Sequence, residues 1–255
     1  MNIPQTAAIF IFGTLWGSFF YTLALRFVSG EFSRGPLRAL ASRSRCPDCG
    51  AKISPLFLVP VLGYIALRGR CPRCSANISP LYPAAEIIHG LLLVLIAREY
   101  GMTLYAFNIF LLCGLGIAIA VIDIRTLIIP DPLVLAFALL SLYPIALTGS
   151  FSQSAFGFLL MFLFFLVVML IFPGSFGGGD LKFASLLGLL FGFELAAVVL
   201  ETALVTGALA GIIYTVVRNK SLRTKIAFGP FLTLGMVTAF LYGRDILLIY
   251  YRIIY

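Results

Sequence analysis

Six side chains stand out by type and spacing. Four are cysteines in two pairs, Cys46-Pro-Asp-Cys49 and Cys71-Pro-Arg-Cys74. Each Cys-x-x-Cys knuckle can bring two thiolates to one metal, and four thiolates complete a tetrahedral Zn²⁺ shell with no open position. Twenty-one residues separate Cys49 from Cys71, close to the spacing of zinc ribbons. The reading is therefore structural zinc rather than catalytic zinc. Redox chemistry and unligated thiols are the other readings of the same spacing. The remaining two side chains are carboxylates. Asp123 ends a long apolar run, and Asp180 follows Gly177-Gly178-Gly179 and opens another.

Acids within apolar segments are costly and usually serve a function, although the cost falls toward a membrane interface. Two acids on separate helices at one face allow a carboxylate dyad. Close like charges drive the two protonation steps apart, so one group acts as base on water while the other keeps a proton and polarises a carbonyl. The glycines before Asp180 would let a substrate backbone approach. Each acid also has a plainer role. Asp180 could be the N-cap of a helix after a glycine turn, and Asp131 could cap the helix that starts at Pro132. His89, the single histidine, has no recognisable partner in its span and reads as a packing or hydrogen-bonding group. Cys113 reads as packing, and Glu86 and Glu201 as partners of basic groups or cavity-lining residues.

The elements that must position these groups follow from composition. Of 255 residues, 61% are apolar and 11% are charged, against about 45–50% and roughly 25% in soluble domains. This excludes a soluble enzyme, a disordered chain and a secreted disulfide scaffold. The apolar runs are long and unbroken, which argues for helices over a transmembrane barrel. The expected fold is an all-α polytopic membrane protein with about eight transmembrane helices and a small cytoplasmic zinc-ribbon-like domain. Spans are predicted near 4–27, 84–99, 104–124, 132–148, 154–173, 181–194, 196–217 and 228–250. Residues 1–27 then form a retained first helix, 28–83 the cysteine-bearing domain and 84–255 a multi-helix membrane domain. Nothing basic precedes Arg26, so the first span lacks the charged start of a signal peptide.

Net charge is +8, from 18 basic and 10 acidic residues. With the N-terminus outside, fifteen of the 18 basic residues fall on the cytoplasmic side, including Arg218, Lys220, Arg223 and Lys225. Only Arg98, Arg244 and Arg252 fall outside. That asymmetry fits the positive-inside rule. It accounts for the basic clusters by topology and lipid contact, not nucleic acid, and puts Asp123 and Asp180 at the same, cytoplasmic, face. Gly188 with Gly192 and Gly207 with Gly211 suit close helix packing. No internal repeat is evident, which weakens an ion-coupled transporter reading.

In order along the chain, the motifs resemble those of the type IV prepilin peptidases. Gly17-Ser18-Phe19 with Arg26 is similar to the family's first span. Arg43-Ser44-Arg45-Cys46-Pro47-Asp48-Cys49-Gly50 and Arg68-Gly69-Arg70-Cys71-Pro72-Arg73-Cys74 are similar to its knuckles, followed by Tyr82-Pro83 and Glu86. Ile122-Asp123, Ile129-Pro130-Asp131, Gly177-Gly178-Gly179-Asp180-Leu181-Lys182 and Phe228-Gly229-Pro230-Phe231 complete the series. Tyr21, Leu58 and Ala227 depart from the pattern.

The resemblance implies an aspartic peptidase in the bacterial inner membrane with Asp123 and Asp180 as the catalytic pair. Gly177, Gly178, Gly179, Lys182 and Asp131 would support them. It implies prepilin or pseudopilin substrates, cut on the cytoplasmic side after the glycine that ends a basic leader. Methylation of the new N-terminus from S-adenosylmethionine would follow, and the cysteine-bearing domain is linked to that half. A peptidase without methyl transfer, or a non-enzymatic scaffold whose zinc domain docks a partner, are the alternatives.

Overall fold

Among the described residues, seven long helices account for most of the chain. The structure is a computed structural model that describes residues 1–35, 42–218 and 226–254. The predicted basic cluster thus lies largely outside the described residues, at Lys220, Arg223 and Lys225. Six of the helices are long and apolar enough to cross a membrane, and Asp131–Leu147 is a shorter apolar helix. The protein is a multi-pass membrane protein. It divides into two units, Met1–Ala106 and Phe107–Tyr255.

In the first unit, α1 (Ile3–Val28) starts with a capping box between Asn2 and Gln5, and α2 spans Leu81–Tyr100. They pack through glycines. A Cβ on Gly13 would lie 2.8 Å from the Gly90 backbone, and one on Gly17 would lie 2.9 Å from Glu86 Cα. Tyr21 meets Tyr82 edge to face. Partner numbers fall along α2 as they rise along α1, so the pair is antiparallel. His89 is buried there, stacked on Phe20, with Nδ1 2.7 Å from the Ala85 carbonyl, in keeping with its packing role. Between the helices lie the cysteine turns, a 3-10 turn at Pro55–Leu58 and a short helix at Leu62–Ala66. Val61 sits at φ 62, a strained conformation for a β-branched residue. Its N–H donates to the buried Glu86 carboxylate at 2.7 Å. Glu86 therefore serves a backbone amide rather than a basic side chain.

The second unit holds α3 (Leu104–Thr126), α4 (Asp131–Thr148), α5 (Phe151–Ile171), α6 (Gly178–Arg218) and α7 (Gly229–Ile254). Burial separates their roles. In its most apolar window 72% of α3 is buried, against 22% of α5. The central helix therefore carries Asp123, while α5 turns most of its surface outward, as lipid contact requires. The core is built from Phe110, Phe137, Phe165, Phe183, Met161 and Met236.

Helix α6 is two segments. Gly192, at φ 71 and ψ −179, breaks it, so the seven helices contain the eight apolar segments expected. The break falls two residues before Glu194, where the sequence suggested it, because only glycine takes that backbone easily. Gly188 packs tightly on Gly157. Gly207 instead faces the Phe228 and Phe231 rings, and a Cβ on Gly211 would make only ordinary contact with Ile226. That pair is not a close helix crossing. Glu201 accepts from the Tyr250 hydroxyl, a neutral partner. Cys113 is fully buried, as a packing residue should be.

Candidate active site

Asp123 lies in the last turn of α3. The helix closes when the Leu127 N–H donates to the Asp123 carbonyl at 2.8 Å, with Leu127 at φ 56. The Thr126 hydroxyl donates to the Ile122 carbonyl at 2.9 Å and steadies the turn. Asp123 is 4% exposed. Its Oδ2 accepts the Gly229 N–H at 2.8 Å, and the Phe228 N–H also points to it. These amides are at the start of α7, where a helix presents donors without intrahelical partners. A Cβ on Gly229 would lie 2.9 Å from Asp123 Oδ2. Glycine is therefore what lets the backbone reach the acid.

Asp180 is the third residue of α6, and its Oδ2 accepts the Gly177 N–H at 2.8 Å. It is not the N-cap. The helix begins ahead of it, and the carboxylate reaches back to the residue that precedes the helix, as the acidic arm of a capping box does. Asp180 Oδ1 is inaccessible to solvent and has no hydrogen-bond partner. Asp180 also feels electrostatic repulsion from Asp123. The two predicted acids are therefore brought within range of each other.

The three glycines divide their work. A Cβ on Gly179 would lie 2.8 Å from Ile129 Cβ, so this glycine seats the first turn of α6 on the loop after α3. Gly178 faces open space. Gly177 supplies the amide. Asp131 makes no side-chain cap for α4. It pairs with Lys182 Nζ at 2.7 Å, and both side chains are largely exposed. The capping role anticipated for Asp131 is replaced by an ion pair because the helix already starts at that residue.

Residues that the sequence reading left without a role are Phe176, Phe228 and the amide of Gly229. Phe176 precedes Gly177, and Phe228 precedes Gly229. The two rings meet at 4.8 Å between centroids, and Phe165 touches both, at 4.8 and 5.8 Å. Each acid is thus gripped by the amide of a Phe-Gly step, and the two phenyl rings join the steps. The repeated Phe-Gly pair was the available signal.

The cysteine cluster belongs to the first unit. Cys46 Sγ lies 3.8 Å from Cys74 Sγ, Cys49 Sγ lies 3.9 Å from Cys71 Sγ, and all four sulfurs fall within 4.8 Å of one another. Four thiolates at the usual Zn–S distance would stand about 3.8 Å apart, so the set fits tetrahedral zinc. The two turns match. The Gly50 and Ser75 amides donate to the carbonyls of Cys46 and Cys71, both at 2.9 Å, and Gly50 and Ser75 both have positive φ. The N–H groups of Cys74 and Arg73 pull the Cys71 thiol down to about 6. At Cys74 the Ala76 N–H lowers the thiol, but desolvation and the neighbouring thiols carry it up to about 12.

Among the described residues there is no strand-turn-helix element of the kind that cradles S-adenosylmethionine in nucleotide-binding folds, so no residue is assigned to that cofactor.

Comparison with known proteins covers nearly the whole chain. Residues 11–100 match the Bacterial Peptidase A24 N-terminal domain, and residues 109–216 match the Type IV leader peptidase family. A prepilin leader peptidase/N-methyltransferase of Bacillus subtilis is 31% identical over 246 residues, covering 96% of this chain and 97% of that one. Proteins of the same name from Pseudomonas aeruginosa and Legionella pneumophila are 32% and 28% identical. They cover 80% and 83% of this chain, and 72% and 76% of their own. No solved structure matches significantly.

Proposed function

The chain belongs to the type IV leader peptidase family, and from that premise we propose that it is a prepilin leader peptidase and N-methyltransferase of the bacterial inner membrane. Its peptidase centre is the pair Asp123 and Asp180. One observation carries this. Two mutually repelling carboxylates from different helices are each held by a glycine amide, Asp123 by the Phe228 amide as well, and Asp180 Oδ1 lacks a partner. A purely structural acid would have its oxygens satisfied.

In the proposed reaction the ionised carboxylate takes a proton from water, and the hydroxide formed adds to the scissile carbonyl carbon. The protonated partner donates to the carbonyl oxygen. Collapse of the tetrahedral intermediate breaks the C–N bond, and the departing amine takes a proton. The Gly177 and Gly229 amides hold the Oδ2 atoms, and the Oδ1 atoms act on water and substrate. Gly178, open on its outer side, leaves room for a substrate backbone. Lys182 and Asp131 support the start of α6.

The active site faces the cytoplasm and the N-terminus lies outside, in accord with the distribution of basic residues. The substrates are type IV prepilins or the pseudopilins of type II secretion, whose basic leader meets an apolar helix at that edge. Residues 28–83 act as a cytoplasmic domain between the first helix, 1–27, and the peptidase domain, 84–255. Cys46, Cys49, Cys71 and Cys74 hold one structural zinc. S-adenosylmethionine, when bound, would supply the methyl group for the new N-terminus.

The test is the intact mass of a prepilin co-expressed with the wild-type protein or with Asp180→Asn. Loss of a leader-sized mass with the wild type, absent with the variant, is the expected result. Normal processing by Asp180→Asn would overturn the dyad. An added methyl on the mature product reports the second activity, and its absence would restrict the protein to cleavage.

A further inference from the structure

The break in α6 opens a cavity of mixed polar and apolar lining, remote from the acid pair. Gly192 lies roughly 18 Å along the helix from Asp180, at 1.5 Å per residue. At the break is a cavity of about 340 Å³ whose polar lining is Ser150, Gln153, Ser154, Glu194 and Arg244. These residues come from the start of α5, the two sides of the break and the late part of α7. The lining thus presents one guanidinium, one carboxylate, two hydroxyls and one amide, with apolar groups such as Leu190 and Leu247 between them.

The charges in this cavity are not spent on each other. Among the described residues Arg244 makes no ion pair, and the Glu194 carboxylate accepts only a hydrogen bond from the Tyr251 hydroxyl, at 3.0 Å. A cation and an anion in one cavity, with net charge zero, suit a ligand that is itself neutral and dipolar. Tyr251, whose hydroxyl reaches Glu194, is exposed near the end of α7, and tyrosine at helix ends is typical of the headgroup level of a bilayer. A ligand here meets apolar helix surface on one side and polar groups on the other.

We propose that this cavity binds the headgroup of a zwitterionic phospholipid bearing a primary amine, of the phosphoethanolamine type. Arg244 takes the phosphate by charge-assisted hydrogen bonds. Glu194 takes the ammonium, and Ser150, Gln153 and Ser154 are the uncharged donors and acceptors around them. An anionic headgroup would leave Glu194 uncompensated, and a choline has no N–H to donate to it. The lipid would bridge α5, both segments of α6 and α7. The opposite ends of these helices form the surroundings of the acid pair.

The experiment is native mass spectrometry of the full chain released from micelles that contain phosphatidylethanolamine, phosphatidylcholine or phosphatidylglycerol with matched acyl chains. The wild type is expected to retain phosphatidylethanolamine several-fold over the other two. Glu194→Gln should erase the preference over phosphatidylcholine, and Arg244→Gln should lower retention of all three several-fold. Both positions are exposed, and unchanged melting temperatures will report intact folding. Equal retention of the three lipids by the wild type, or an unaltered preference in both variants, would overturn the proposal. Displacement by water-soluble glycerophosphoethanolamine at the same concentration as the lipid would overturn the assignment to a lipid in favour of a free headgroup.

Discussion

The cysteine cluster and the acid pair solve the same problem by different means. In both, side chains distant in sequence converge, and backbone amides point at them. The cysteine set is two copies of one local turn, each closed by hydrogen bonds within five residues. Little packing holds the copies together, and a metal at the four sulfurs would supply most of the energy. The acid pair is asymmetric. Asp180 is held locally by Gly177, whereas Asp123 is held by Gly229, across the whole second unit. Helix packing holds that pair. A local motif with a metal can be small and still rigid, while a site assembled by packing needs a core beneath it.

Zinc removal should have the largest effect. Structural zinc contributes about 10–16 kcal/mol in isolated finger peptides. Chelation, or Cys46→Ser with Cys71→Ser, should remove about one Zn²⁺ per chain and expose residues 46–77 to protease and hydrogen exchange. Protection in α3–α7 should stay. Its collapse would break the contrast between the two regions.

Gly229→Ala comes next. The new Cβ would lie 2.9 Å from Asp123 Oδ2 and must push α7 or the acid aside. A displacement near 1 Å should lower kcat by about 100-fold with little change in KM, read from single-turnover cleavage of a prepilin. An unchanged kcat would mean that Asp123 does not depend on this amide.

Phe176→Leu removes one ring of the pair that links the two Phe-Gly steps. An aromatic pair is worth about 0.5–1.5 kcal/mol, so a fall of roughly 2- to 10-fold in kcat is expected, while zinc content stays at wild-type level. Asp131→Asn should do least. Its ion pair with Lys182 is exposed, and such pairs contribute about 0–1 kcal/mol. A melting shift near zero is expected, and a large one would show that the start of α6 depends on it.

Much of this was legible in the sequence. The Cys-x-x-Cys spacing foretold four converging sulfurs because a knuckle is a local structure, set by a few residues and a positive φ at Gly50 and Ser75. The apolar runs foretold the helices because each must satisfy its own backbone in lipid. Asp123 and Asp180 were identifiable as unusual, since acids are rare beside such runs. The break in α6 was placed two residues late, because apolarity continues through it and only the backbone of Gly192 marks it.

By itself the sequence determined the class of fold, the pairing of cysteines that brings four sulfurs together and which acids were candidates. These depend on composition and short spacing, which need no knowledge of distant neighbours. Tertiary structure alone decided that Gly229 grips Asp123, that Phe176 meets Phe228, that Asp131 pairs with Lys182 instead of capping, and that Glu194 and Arg244 share a cavity. Each joins residues on different elements, and which residues meet is set by how helices pack through their glycines and rings.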